Sequence, residues 1–143
     1  MTIAAILRDK GDRVISIAGN ITLAAAVALF ARERIGAVPV LDERGGVEGI
    51  FSERDVIHAL EAHGAAALER TVGEAMTAPA VTVTPDQPVI GALSLMTQRR
   101  FRHLPVVAGG RLVGFVSIGD LVKYRIDRIE ADAAAMRDYI QSA

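Results

Sequence analysis

Two short stretches carry the residue types with the most chemistry. Ser52-Glu53-Arg54-Asp55 and Ser117-Ile118-Gly119-Asp120 each follow a glycine by three positions (Gly49 and Gly114), so G-x-x-S-x-x-D is written twice. At the start of a helix, serine with an acid three residues on is close to a capping box, in which each side chain satisfies the other's backbone amide. An acid there also suits the positive end of the helix dipole. The same geometry has a second use. Free N–H groups at a helix N-terminus suit an anion such as phosphate, and a carboxylate beside them can accept hydrogen bonds from the two hydroxyls of a ribose. Arg54 lies inside the first motif, and Arg102 and His103 precede a strand. Arginine in such a place can clamp phosphate with a bidentate fork. The first-copy counterparts of Arg102 and His103 are Gly36 and Ala37, so the two halves are chemically unequal. On these residues alone, capping and anion binding both stay open.

Other chemistries have less support. The chain has no cysteine, which excludes disulfides, thiolate nucleophiles and cysteine-based metal sites. His58 and His63 are five residues apart, do not share a helical face and have no third ligand, so they read as surface residues with no metal. A nucleophilic triad needs a serine, a histidine and a third group to orient it. Only His103 is a plausible base, so no catalysis is expected. Thr97 to Arg102, "TQRRFR", is a basic cluster with one aromatic, too short and isolated to argue for nucleic acid in a chain of net charge −1. Arginine outnumbers lysine 14 to 2, which reads as composition rather than as a basic field.

These residues must be held by elements, and the elements repeat. Sliding the chain by 66 lays "AVTVTPDQPVIGALSLMTQRRFRHLPVV" over "VISIAGNITLAAAVALFARERIGAVPVL" without a gap, pairing Ala26, Leu29, Pro39 and Val40 with Ala92, Leu95, Pro105 and Val106. One deletion in the next turn changes the offset to 65 and brings Gly49, Ser52 and Asp55 onto Gly114, Ser117 and Asp120. A weaker echo, "TIAAILR" and "TVGEAMT", precedes the copies. Each copy reads as β-α-β-β-α: an entry strand (14–17; 81–83), a helix capped at Asn20 or Asp86 (23–34; 89–100), two strands around a Gly-Gly turn (37–41 and 47–51; 103–107 and 112–116), and a helix opened by the serine. Such a unit of about 50 residues cannot bury its sheet alone, so the copies are expected to pack sheet to sheet in pseudo-two-fold symmetry. The division by sequence is 1–66, 67–126 and a helical extension over 127–143. The segment 61–79 is the connection, with "HGAAALER" its loosest part. The class is α+β.

Composition agrees with a globular protein: 51% hydrophobic and 23% charged. Five apolar residues before the first charges are too few for a signal peptide. The longest apolar run, Leu23 to Ala31, is about half a membrane span. A cytoplasmic protein with no membrane partner is expected.

The stretches "IGAVPVLDERGGVEGIFSERDVIHAL" and "RFRHLPVVAGGRLVGFVSIGDLVKYR" resemble a pair of CBS domains, the regulatory module named after cystathionine beta-synthase. The resemblance covers roughly residues 1–126 and is similar to the stand-alone form, with no catalytic domain attached. It implies adenosine-containing ligands, AMP above all, with ADP, ATP, NADH or S-adenosylmethionine as others, bound between the repeats without a metal. It implies that Asp55 and Asp120 hold ribose hydroxyls and that Ser52 and Ser117 sit near ribose or phosphate. Ser16, Ile17, Thr82 and Val83, with the backbone at Ala37, Val38, Pro39, His103, Leu104 and Pro105, would wall the adenine, and Arg54, Arg102 and His103 would face phosphate. One stronger and one weaker site are expected. The alternative is a ligand-independent dimeric scaffold in which the Ser-x-x-Asp pairs are only caps.

The C-terminal stretch carries a narrow apolar stripe: Val122, Ile126, Ile129, Ala133, Met136 and Ile140, in 4-3-4-3-4 spacing between charged flanks. An exposed stripe needs a cover. A homodimer, by contact across modules rather than a free-standing coiled coil, is expected, because the stripe is short.

Overall fold

The structure is a computed structural model that describes residues 1–11 and 13–142. Asp12, inside the first repeat, and Ala143, the last residue of the expected extension, lie outside the described residues. The order is α1 (Ile3–Lys10), β1 (Ile17–Ala18), α2 (Leu23–Glu33), β2 (Ala37–Leu41), β3 (Val47–Ser52), α3 (Glu53–His63), a 3-10 turn (Gly64–Glu69), α4 (Val72–Ala75), α5 (Val89–Arg99), β4 (His103–Ala108), β5 (Arg111–Ser117) and α6 (Ile118–Ser142). The main helices and hairpins fall within one residue of the expected positions. In the first sheet β1 runs parallel to β2, and β2 antiparallel to β3; in the second, β4 and β5 are antiparallel.

The entry strands are shorter than expected. The first is only Ile17–Ala18, and the second is a single bridge between Val83 and Val106. The Val83 N–H donates to Pro105 O and Val83 O accepts from Val107 N–H, after which Thr84 turns the chain and Pro85 has no N–H to extend the ladder. The caps also differ. Thr22, not Asn20, caps α2, its Oγ1 accepting from Ala25 N–H at 3.2 Å. Asp86 is engaged instead by the Thr84 hydroxyl. At α5 the cap position is Pro88, and the first amide, Val89 N–H, donates to the Met1 carbonyl at 3.1 Å.

That last contact belongs to a set that explains the echo before each copy. The Val89 N–H to Met1 O, Ile3 N–H to Gln87 O and Ala4 N–H to Pro85 O bonds recur as Leu23 N–H to Arg70 O, Val72 N–H to Ile21 O and Gly73 N–H to Gly19 O. Each short helix therefore caps one module: α1 docks on the second and α4 on the first. The cores agree. Ile3 and Ile6 are buried with Val89, Met96, Leu104, Val106, Val116 and Leu121, while Val72 and Ala67 are buried with Leu23, Phe30, Val38, Val40 and Phe51. In the stretch expected to be the loosest, Ala67 alone is buried and anchors the 3-10 turn to the first core, while its neighbours are exposed. Residues 1–66 and 67–126 describe the order of the copies in sequence; in space the two short helices are exchanged between them.

The glycine of each G-x-x-S-x-x-D is explained by what crosses it. A Cβ at Gly49 would lie 2.6 Å from the Thr77 carbonyl oxygen, and one at Gly114 would overlap the Leu7 side chain. Both crossing residues belong to the segment that begins with the docked short helix.

Candidate functional site

Ser52 ends β3 and opens α3, as Ser117 ends β5 and opens α6. In each, the first helical amide is tied to the neighbouring strand's start: Glu53 N–H to Gly36 O at 2.9 Å and Ile118 N–H to Arg102 O at 2.8 Å. The helix N-termini are thereby fixed beside the starts of β2 and β4. Both Ser-Asp pairs make capping contacts. Asp55 Oδ2 accepts from the Ser52 N–H at 2.9 Å and from its hydroxyl at 3.2 Å. Asp120 Oδ2 accepts from Ser117 N–H at 2.9 Å, and Ser117 Oγ accepts from Asp120 N–H at 3.1 Å.

The surroundings of the two aspartates differ. Asp55 Oδ1 accepts the Thr77 hydroxyl at 3.0 Å, while the Thr77 backbone pairs in both directions with Ile50. At the corresponding place in the second module stands Lys10, at the end of α1. Its ammonium donates to Asp120 Oδ2 at 2.7 Å and to the Phe115 carbonyl at 2.7 Å. One ammonium thus does at Phe115 and Asp120 what a backbone amide and a hydroxyl do at Ile50 and Asp55. Burial pushes the Asp120 carboxyl up, but Lys10 and the Ser117 donors outweigh it and hold the group below its ordinary value. His103 stacks on Phe115, ring centroids 5.3 Å apart and 11° from parallel. Burial lowers its pKa, Lys10 and Arg102 lower it further, and Asp120 opposes them, so the ring is neutral at pH 7.

Between the modules lies an open cleft of about 770 Å³. One wall is Gly36, Ile50, Ser52, Glu53, Arg54, Asp55 and Ile57; the other is Arg99, Arg100, Phe101, Arg102 and His103; the stretch between α4 and α5 contributes Thr77, Pro79, Ala80 and Val81. The basic residues of the second copy therefore face the serine and aspartate of the first. Of the residues singled out in the sequence, Ser52, Arg54, Asp55, Arg102 and His103 come together there. Its lining does not include Ser117 or Asp120, at the start of α6, nor Ser16, Ile17, Ala37, Val38, Pro39, Thr82, Val83, Leu104 or Pro105. Ile17, Ala37, Val38, Pro39, Val83, Leu104 and Pro105 are buried in the sheets, whereas Ser16 and Thr82 are exposed beside them. Arg99, Arg100, Phe101 and Thr77 are additions to the site. The first three lie in the "TQRRFR" cluster, whose spacing signalled a basic patch but not what it faces. Nothing in the sequence connects Lys10 with Asp120, 110 residues away.

Such a cleft combines a carboxylate and helix N-terminus on one side with guanidinium groups on the other, and Ile50, Ile57, Val81 and Phe101 give it apolar surface. That set suits a ligand with an aromatic base, vicinal hydroxyls and a negative charge. Among the described residues there is no group of three or more histidines and carboxylates that could hold a metal ion, and no helix is long and apolar enough to cross a membrane.

Comparison with known proteins places these features in a family. The model of the CBS domain matches twice, at residues 7–62 and 72–127. The chain is 30% identical over 148 residues to the CBS domain-containing protein CBSX3, mitochondrial, of Arabidopsis thaliana, covering 98% of this chain and 72% of that one. Among solved structures, the CBS-domain containing protein ATU1752 from Agrobacterium tumefaciens aligns at a TM-score of 0.81 with 39% identity, covering 87% of this chain and 92% of that one. The CBS domain pair of protein MJ0100, solved in complex with 5-methylthioadenosine and S-adenosyl-L-methionine, aligns at 0.78 with 26% identity, covering 90% and 98%.

Proposed function

This chain belongs to the CBS domain family, and on that premise we propose that it is a regulatory module, without catalysis of its own, that binds an adenosine-containing ligand between its repeats and passes the bound state to a protein partner. The observation that carries the reading is the cleft in which Ser52, Arg54 and Asp55 of one repeat face Arg99, Arg100, Arg102 and His103 of the other. In this reading Asp55 takes the ribose hydroxyls, and the facing arginines, with the positive end of α3, take phosphate. Asp55 must exchange its Thr77 hydrogen bond for the sugar. The ligand-bound MJ0100 pair supports the adenosine class, and the arginines favour a phosphorylated member such as AMP, ADP, ATP or NADH. The working unit is a homodimer.

The second Ser-Asp pair has a different role. Asp120 forms an ion pair with Lys10 and a reciprocal cap with Ser117, and it serves to clasp α1 to the second module, leaving that side the weaker site.

A thermal melt against AMP, ADP, ATP, NADH and S-adenosylmethionine tests the reading. A ligand at 100 times its Kd adds about 2.7 kcal/mol, enough to raise the midpoint by roughly 5–10 °C in a chain of this size. Asp55→Ala should remove the shift. No shift with any ligand at millimolar concentration would leave the Ser-Asp pairs as caps and the chain as a scaffold.

A further inference from the structure

Helix α6 runs 25 residues and leaves its module after the first two turns: Leu121 is buried and Tyr124 packs against the second core. At 100° per residue, the stripe of Val122, Ile126, Ile129, Ala133, Met136 and Ile140 lies on a different face, and every one of the six is exposed, Ile129 by 54% and Ile140 by 66%. We propose that this face is covered by α6 of a second copy lying parallel and in register. The inference rests on the homodimer reading above, but places the contact on α6 itself rather than across the modules as the short stripe suggested, because α6 leaves its module and the whole stripe stands exposed.

Charge decides the direction. In two parallel helices the residues flanking the stripe meet at i and i+5, which sets Arg125 against Glu130 and Asp132 against Arg137 of the second copy. Two-fold symmetry makes each pair twice, and all four are attractive. The antiparallel alignment that covers the whole stripe, Val122 on Ile140 and Ile126 on Met136, sets Lys123 against Arg137, Glu130 against Glu130 and Asp132 against Asp132. Every one of those is repulsive. Ala133 gives little area at the centre, so the charges choose the orientation and the isoleucines on either side supply the burial.

The chain has no cysteine, so a single introduced thiol reports the geometry directly. Parallel pairing brings Ile140 of the two copies together, whereas the antiparallel alignment holds them about 27 Å apart at 1.5 Å per residue. The expected results on the full chain are a dimer by sedimentation equilibrium, a disulfide-linked dimer on oxidation of Ile140→Cys, and about tenfold less cross-linking in Ile129→Glu/Ile140→Cys, with the module's melt unchanged. Glu130→Arg should weaken the dimer about tenfold, and Arg125→Glu/Glu130→Arg should restore it. A monomeric native chain would overturn the homodimer reading itself. A native dimer in which Ile140→Cys does not cross-link, or which Ile129→Glu leaves intact, would overturn only the parallel α6 pairing.

Discussion

Asp55 and Asp120 share the glycine and serine of one sequence motif but have different electrostatic partners in the fold, and this difference governs what can be asked of each. Asp55 meets a neutral hydroxyl from Thr77, which a sugar can replace; Asp120 meets an ammonium. Lys10→Met should destabilise the fold on the order of 1 kcal/mol in urea titration, the pair being partly exposed and the Phe115 carbonyl losing its donor. Because the folded Asp120 lies below its ordinary value of 3.8, its contribution is complete above that pH and is lost as pH falls through the lower folded value. Lys10→Met should flatten that acid limb. His103 behaves in the opposite chemical sense with the same slope. Its folded pKa lies below 6.5, so the unfolded chain binds the extra proton and stability declines as pH drops below 6.5. His103→Gln should shrink the difference in urea midpoint between pH 7.5 and pH 5.5. Arg102→Ala should cost AMP about 10–100-fold in affinity while leaving adenosine nearly unchanged, as expected for a charge-assisted contact to phosphate.

Each module is built from a hairpin, two helices and a short helix borrowed across the chain. The glycine in each motif is the point where the borrowed segment crosses. At Gly49 the obstacle to a side chain is the Thr77 backbone, itself paired with Ile50; at Gly114 it is the Leu7 side chain, which can rotate away. Gly49→Ala should therefore cost about 1–3 kcal/mol and Gly114→Ala clearly less, measured by urea unfolding. The hairpins and main helices were legible in the sequence because their apolar periodicity and Gly-Gly turns are local signals. The exchange of α1 and α4 was not, since "TIAAILR" and "TVGEAMT" show that the segments are related but not which core receives them. The caps misled for a similar reason. Asn20 and Asp86 are good cap residues by type, yet at the second helix the Met1 carbonyl takes the first amide, a partner set by tertiary packing. The facing of Arg102 and His103 onto Ser52 and Asp55 likewise depends on how the modules sit together; the sequence supplied the residues, and the cleft pairs them across the repeat.

At the scale of the molecule, the exchange makes the two halves interdependent. Residues 1–66 hold Ile3 and Ile6, which the second core needs, and the first core draws Ala67 and Val72 from beyond that boundary. The chain should unfold in one cooperative transition, with coincident near- and far-ultraviolet circular dichroism. Ile3→Ala, made in the first half by sequence, should lower that single midpoint at a cost of about 2–5 kcal/mol. Two resolved transitions would mean independent modules. Interdependence is also what allows a ligand between the modules to act at a distance, since it shifts an equilibrium only by its differential affinity for two arrangements. The central claim is that the working cleft joins Asp55 of one repeat to the arginines of the other. Calorimetric titration with AMP of the native chain, Asp55→Ala, Asp120→Ala and Arg102→Ala tests it most directly. The expected result is that binding is lost in Asp55→Ala, weakened in Arg102→Ala and retained in Asp120→Ala. Binding that survives in Asp55→Ala and disappears in Asp120→Ala would contradict it, and would place the ligand on the Lys10 side of the molecule.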